Sequence, residues 1–153
     1  QHDKNLISLP NEGAQALSVS ATTAVDFDPF TGTADNPGFQ PSSYTNYGTN
    51  AITVGAPGGD VPQGGGTPDL VYNAIPADAA ESFGLPRPYA YLAGTSMAAP
   101  QVAGAAALVK SANPSYNANQ VESALKRAAE VPDGFDKAFF GSGFLDVLGA
   151  LDG

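Results

Sequence analysis

The residues best suited to chemistry stand in one short segment, GTSMAAP, which covers residues 94–100. A serine hydroxyl such as that of Ser96 attacks a carbonyl carbon when a base removes its proton. The run YAYLA before it predicts a strand, and the apolar run after it predicts a helix, so Ser96 is expected where the helix begins. Backbone N–H groups of a first helical turn lack intrahelical partners and favour negative charge. The Ser96 N–H is thus expected to stabilise an oxyanion, and Gly94 to let a substrate backbone approach.

The same pattern also fits a purely structural role for Ser96. Serine is a common N-cap residue, since its side-chain oxygen accepts a hydrogen bond from an unpaired N–H of the first turn. The residue types alone leave both roles open.

A helix is predicted from Ser96 to the pair Asn113–Pro114, which ends it. Its residues are nearly apolar all round, which predicts burial on every side. Pro100 is expected near the first turn, where a missing N–H costs least. A second helix is predicted in NANQVESALKRAAE, with Asn117 as the N-cap and Gln120 completing a capping box.

Four strands are predicted, in ALSVSATTAV, AITVGA, LVYNAI and YAYLA. The short apolar runs among them suit a sheet that is covered on both faces. Residues 26–48 and 58–69 are rich in Gly, Pro, Asn and Ser and predict long loops. Strands followed by helices indicate an α/β layered architecture, and so few strands suggest that part of the sheet lies elsewhere.

Composition narrows the function classes. The 153 residues suit one domain, and the net charge of −9 argues against nucleic-acid binding. The chain has no cysteine and therefore no disulfide framework or thiolate metal site. Residues 88–109 contain no charge, but their Ala, Gly and hydroxyl content is too weakly apolar for lipid, so no membrane span is expected. The start, QHDKNLISLP, lacks a signal peptide and an initial Met, which suggests a processed or excised chain.

The segment GTSMAAPQVAGAAALV resembles the nucleophile motif of the subtilisin-like serine proteases, the subtilases. Four other segments resemble blocks of that family in the same order, namely LPNEGAQALSVSATT, SSYTNYGTNAITVGAPG, NPSYNANQVESALKRAAE and GSGFLDVLGAL. The resemblance implies part of a doubly wound, mainly parallel sheet with a buried helix after the nucleophile. It also implies an extracellular serine endopeptidase that acts on polypeptides.

The family mechanism implies that Ser96 is the catalytic nucleophile and forms an acyl-enzyme. It further implies a substrate-binding role for a group of residues on the turn before Ser96 and on the pocket floor, which are Gly94, Thr95, Ser8, Leu9, Pro10 and Asn11.

The family triad runs Asp, His, Ser along the chain, and here the first two motifs are missing. The one histidine, His2, lacks the family's H-G-T setting, and Asp3 lacks the D-x-G setting. Asn5 has the wrong neighbours for the family's oxyanion asparagine. Residues 1–153 are therefore expected to be the C-terminal part of a peptidase domain, inactive alone, with the N-terminal half as a partner. Gln101 stands where many members carry histidine.

No cofactor is required by the implied mechanism. A structural calcium ion bound by Asp60 and Asp69 is a further hypothesis, but the spacing fits no recognised calcium loop and favours a solvated turn. For Asp26, Asp28 and Asp35, calcium binding is likewise only a hypothesis, and a solvated loop is favoured.

Two alternative functions stay open. One is a sedolisin-type acid peptidase, which shares a G-T-S turn but uses carboxylates as the base. The other is a degenerate protease domain retained as a binding or structural module.

Overall fold

The structure is a computed structural model that describes residues 16–25, 30–31, 36–49, 51–61, 66–131 and 133–152. Its strands are β1 Val19–Val25, β2 Asn36–Pro41, β3 Val54–Pro57, β4 Val71–Ala74 and β5 Tyr89–Leu92. Its helices are α1 Ala77–Ser82, α2 Thr95–Ala112, α3 Ala118–Ala128, α4 Lys137–Phe140 and α5 Val147–Asp152, with a short 3₁₀ turn at Thr67–Asp69.

β1 is the central strand of a three-stranded sheet, with β2 on one side and β3 on the other. β1 and β3 are parallel, with Val19 opposite Val54 and Thr22 opposite Pro57. β1 and β2 are antiparallel, and their register shifts between Thr23 and Val25. The expected α/β class is thus confirmed, with a parallel strand pair against which helices pack.

β2 corrects the expectation that residues 26–48 form a loop throughout. Its sequence, NPGFQP, has the Pro and Gly content of a turn and no apolar alternation. It is a strand because the outer edge of β1 offers unpaired N–H and C=O groups, which backbone pairing satisfies whatever the side chains are. The α1 helix and the 3₁₀ turn were likewise not predicted.

α2 packs one face against β1 and β3 and leaves another face exposed. Its buried residues are Ala98, Val102, Ala105 and Val109, which recur at the spacing of one helical face. The expectation of burial on every side is therefore wrong in this structure, because no described element covers the opposite face. The exposed apolar residues of that face are Ala99, Ala103, Gly104, Ala107 and Leu108. We call these five residues the open face of α2.

α3 follows its sequence pattern closely. The Gln120 N–H donates to Asn117 Oδ1 at 3.0 Å, and the Asn117 N–H donates to Gln120 Oε1 at 2.9 Å, so the predicted capping box is confirmed. Val121, Ala124 and Leu125 are buried and join the core with α2 and α5. Reciprocal capping and one apolar face fix both the start and the rotation of this helix.

β4 and β5 form a separate two-stranded antiparallel sheet, so the two strands predicted in LVYNAI and YAYLA are confirmed. The expectation that these strands are covered on both faces is wrong, since Tyr72, Tyr89 and Tyr91 are exposed on one face. Their rings contact each other, with centroids 4.6 Å apart for Tyr72–Tyr91 and 5.6 Å for Tyr72–Tyr89. Tyrosine tolerates this exposure because its hydroxyl is hydrated while its ring packs on its neighbours.

Within the described ranges no helix has both the length and the apolar character needed to cross a membrane.

Candidate active site

Ser96 is the second residue of α2, two residues after the N-cap Gly94, and its side chain is exposed. The strand–turn–helix arrangement expected around it is present, since β5 ends at Leu92 and α2 begins at Thr95. The Met97 and Ala98 N–H groups both donate to the Gly94 carbonyl, at 2.9 and 3.4 Å. Among the described residues no acceptor takes the Ser96 N–H, as helix geometry requires in a first turn. The hydroxyl and a backbone donor are therefore both available to a substrate carbonyl.

The structural alternative, in which Ser96 is the N-cap, is wrong in this structure. Gly94 holds the N-cap position, and no side chain caps the helix. Gly94 has φ 155° and ψ 159°, a conformation that residues with a side chain rarely adopt. The glycine is thus required for the turn that presents Ser96.

Pro100 lies inside α2 rather than in its first turn. It is four residues after Ser96, so the N–H that it lacks is the one that would bond the Ser96 carbonyl. The first turn of α2 consequently has one backbone hydrogen bond fewer than an ordinary helix. Its position must depend more on contacts outside the helix.

One such contact joins the turn to the end of β3. The Gly94 N–H donates to the Gly58 carbonyl at 2.9 Å. A Cβ atom built on Gly58 would lie 2.5 Å from Ala21 Cβ and 2.9 Å from the Gly94 carbonyl oxygen. Glycine is needed at position 58 because the turn before Ser96 packs directly against its backbone.

Tyr44 also contacts the backbone at the end of β3, at Gly58 and Gly59. Its hydroxyl lies 3.0 Å from the Gly58 carbonyl and 2.5 Å from the Gly59 carbonyl, and the Ser42 hydroxyl donates to the latter at 3.1 Å. Burial is the largest influence on the Tyr44 hydroxyl and raises its pKa above 10.0; Asp60 adds to the rise, and contacts with Ser42 and Gly94 oppose it. The hydroxyl therefore stays protonated and serves as a donor.

Gln101 provides a third contact between the end of β3 and its surroundings, and it comes from α2. Its Nε2 donates to the Pro57 carbonyl at 2.7 Å and to the Met97 carbonyl at 3.0 Å. Both neighbours are acceptors, so only the NH₂ end of the amide satisfies them. Three consecutive carbonyls at the end of β3, those of Pro57, Gly58 and Gly59, thus accept hydrogen bonds from α2 and the residue 42–44 loop.

Neither Tyr44 nor Gln101 was assigned a role from the sequence. The SSYTNYGTNAITVGAPG block holds Tyr44 and Gly58 together, and position 101 stands out against the family pattern. Those two signals marked the residues but not their contacts, which join positions 14 residues apart for Tyr44 and 44 residues apart for Gln101.

The other proposed substrate-binding residues divide into two groups. Thr95 is exposed beside Ser96 at the start of α2. Four residues expected to line the pocket floor lie outside the described residues, namely Ser8, Leu9, Pro10 and Asn11. His2, Asp3 and Asn5 lie there as well.

The two carboxylates suggested for calcium accept hydrogen bonds from backbone N–H groups. Asp60 accepts from Ser43 and Val61, at 2.5 and 2.8 Å, and Asp69 accepts from Gly66 at 2.8 Å. Burial raises the Asp60 pKa, but hydrogen bonds from Ser43 and Val61 outweigh it, so the pKa lies below its usual value. In the part of the chain that the structure describes, no three His, Cys, Asp or Glu side chains cluster as metal ligands would.

The three remaining acids considered for calcium, Asp26, Asp28 and Asp35, lie outside the described residues.

A cavity of about 540 Å³ lies at the opposite end of α2, between Leu17, Lys110, Tyr116 and the start of α3. The Lys110 Nζ is bonded to the Pro114 and Tyr116 carbonyls at 2.7 and 2.6 Å. Helical rise places Ser96 about 20 Å away from Lys110 along the axis. The cavity is therefore separate from the serine.

Sequence comparison matches residues 1–143 to the profile of the subtilase family. The cell wall-associated protease of Bacillus subtilis (strain 168) is 32% identical over 127 residues, which are 83% of this chain and 10% of that protein. Subtilisin BL of Lederbergia lenta is 61% identical over 41 residues, which are 27% of this chain and 15% of that protein. The chain thus spans a small part of the relatives that it matches.

Structural comparison agrees. A lanthipeptide protease superposes with a TM-score of 0.73 and 28% sequence identity, over 97% of this chain and 44% of that one. A protease from Pseudoalteromonas arctica superposes with a TM-score of 0.68 and 26% identity, over 94% of this chain and 37% of that one. The expected resemblance is confirmed in both sequence and fold.

Proposed function

The chain belongs to the subtilase family of serine proteases, and from that membership we propose that it carries the nucleophile of an endopeptidase, Ser96. The observation that carries the proposal is an exposed serine at the start of a helix, with its own N–H available beside it. Gly94 and Thr95 would line the substrate backbone, and Ser8, Leu9, Pro10 and Asn11 the pocket for the side chain before the cut.

In the proposed reaction Ser96 Oγ attacks the carbonyl carbon of a peptide bond while a histidine base takes its proton. The carbonyl oxygen becomes negative and accepts a hydrogen bond from the Ser96 N–H. The C–N bond then breaks, the amine leaves with the proton from the base, and an acyl-enzyme remains. Water attacks that ester through the same base and restores the hydroxyl.

The base and its orienting carboxylate are proposed to come from polypeptide outside this chain, the N-terminal half of the same domain. The only histidine here, His2, lacks the family's motif. The open face of α2 supports the proposal, since five adjacent small or apolar residues on one long helix are suited to being covered by further polypeptide. We therefore place residues 1–153 in the C-terminal part of the peptidase domain.

The proposed chemistry needs no cofactor, and calcium at Asp60 and Asp69 would be structural only. An extracellular location is supported by the relative named as cell wall-associated. Polypeptides are the proposed substrates; nucleic acids and membranes are not proposed as partners.

The test is labelling by a fluorophosphonate probe, which requires a serine activated by a base. We expect Ser96 to be labelled in the full-length protein and to remain unlabelled in the 153-residue chain alone. Ser96→Ala abolishes both labelling and turnover, whereas Ser111→Ala, on the same helix, changes neither. In subtilisin, a member of this family, removal of the nucleophilic serine lowers kcat by about 10⁶-fold.

Each alternative has its own outcome in that experiment. A full-length protein that is neither labelled nor active supports the degenerate binding module. Activity that is confined to acid pH supports a carboxylate base of the sedolisin type. Turnover by the pure 153-residue chain that is lost in Ser96→Ala overturns the requirement for outside polypeptide.

A further inference from the structure

We propose that Gln101 is a positioning residue, which holds the first turn of α2, and with it Ser96, against the end of β3. The expected effect of Gln101 on catalysis rests on the proposed function. The hydrogen bonds that Gln101 makes are independent of that function. Gln101 is half-buried, and its side chain bridges the Met97 and Pro57 carbonyls, which belong to two different elements.

The need for this link follows from Pro100. An ordinary helix fixes its first turn by hydrogen bonds from the turn that follows. Here Pro100 cannot donate to the Ser96 carbonyl, and its ring crowds that carbonyl. Gln101 is the next residue, and its side chain reaches back to the neighbouring Met97 carbonyl. It thus adds a hydrogen bond to the turn that Pro100 weakens.

The second half of the link sets the position of that turn relative to the sheet. Without Gln101, the turn before Ser96 is joined to the end of β3 through the Gly94 N–H and the Gly58 carbonyl. Two hydrogen bonds at different points restrict rotation of the turn more than one does, so the Gln101 bond to the Pro57 carbonyl helps to set its orientation. Ser96 lies between these two anchor points in the chain, so its hydroxyl direction depends on both.

The substitution that tests the proposal is Gln101→Glu. It keeps the shape of the side chain but directs carboxylate oxygens at two carbonyl oxygens, at a pH well above the usual glutamate pKa of about 4.3. We expect kcat to fall about 10²-fold, with KM changed less than twofold, the scale expected when a reacting group is misplaced by about 1 Å. Labelling of Ser96 should slow by the same factor as kcat.

The matched control is Gln120→Glu, the same chemical change at a glutamine whose side chain accepts a hydrogen bond. A carboxylate accepts there equally well, so kcat should not change. Gln101→His retains one ring N–H donor and should recover most of the kcat that Gln101→Leu loses. If Gln101→Glu does not fold, the comparison of Gln101→His with Gln101→Leu tests whether a donor at position 101 is needed. Equal kcat in Gln101→His and Gln101→Leu overturns the proposal, as does unchanged kcat in a folded Gln101→Glu.

A readout without catalysis separates this proposal from the proposed function. Amide hydrogen exchange at Gly94, Met97 and Ala98 should be about tenfold faster in Gln101→Glu than in the unsubstituted full-length protein, and unchanged in Gln120→Glu. If Ser96 is never labelled, the proposed function fails and hydrogen exchange alone decides the role of Gln101. Unchanged exchange overturns the positioning role even where the protease is active.

Discussion

At the scale of single residues, the Tyr44 hydroxyl connects the loop after β2 to Gly58 and Gly59, the segment against which the turn before Ser96 packs. It reaches two consecutive carbonyls, those of Gly58 and Gly59, yet each of these has another donor, the Gly94 N–H and the Ser42 hydroxyl. The site therefore does not depend on Tyr44 alone. Removal of its hydroxyl is expected to weaken the fold without leaving a carbonyl unpaired.

We expect Tyr44→Phe to lower the free energy of unfolding by about 1 kcal/mol, the net worth of one hydrogen bond. The loss should also depend on pH. Because the folded pKa of Tyr44 is raised above 10.0, the unfolded chain loses that proton first as pH rises. The contribution of Tyr44 is fully present below pH 10.0 and declines as pH rises through the folded pKa.

Urea denaturation of both proteins between about pH 8 and pH 11 measures this difference. The difference in free energy of unfolding between the two proteins should be constant up to pH 10.0 and then decrease. The other tyrosines do not affect this difference, because both proteins contain them. A difference that widens above pH 10.0 contradicts the raised pKa.

At the scale of elements, the packing of the Ser96 turn against β3 leaves no space for a side chain at position 58. We expect Gly58→Ala to cost about 1–3 kcal/mol, the usual range for overpacking. The shift needed to relieve contacts with Ala21 and Gly94 also moves Ser96. Fluorophosphonate labelling should therefore slow together with the loss of thermal stability.

Gly66→Ala is the control, because its φ of −136° suits alanine and its Cβ would meet Pro68 at an ordinary 3.4 Å. Labelling should be unchanged in this variant. Normal labelling of Gly58→Ala would show that the turn does not depend on this contact.

The elements that could be predicted from the sequence are those fixed by local interactions. α3 was predicted with its cap because Asn117 and Gln120 interact three residues apart. β2 was missed because its pairing with β1, and not its own NPGFQP sequence, makes it a strand. Tyr44 and Gln101 were left without roles for the same reason, since their partners are 14 and 44 residues away. The strand–turn–helix setting of Ser96 was predicted because the segments that form it, β5 and α2, are adjacent in the sequence.

At the scale of the whole molecule, a substitution on the open face of α2 tests whether further polypeptide covers that face. We expect Ala107→Glu to be nearly neutral in the 153-residue chain, where that side chain meets water. In the full-length protein it should lower the free energy of unfolding by several kcal/mol, about 3–5, because the charge would be buried without a partner. Chemical denaturation of both proteins gives the two values.

Ser123→Glu is the control, an equal change in charge on the exposed side of α3. It should be neutral in both proteins. If Ala107→Glu is also neutral in the full-length protein, the open face of α2 is a true surface and the proposed covering is wrong.

The three carbonyls at the end of β3, those of Pro57, Gly58 and Gly59, have a further consequence for the order in which the molecule folds. α2 and α3 are stabilised by bonds between close neighbours, so they can form early. The positions of Pro57, Gly58 and Gly59 depend on the pairing of β1 with β3, which joins residues some thirty-five apart in the chain, so we expect them to be set later. We therefore expect a refolding full-length protein to regain helical circular dichroism before Ser96 regains its labelling by the fluorophosphonate probe; simultaneous recovery of the two signals would contradict this order.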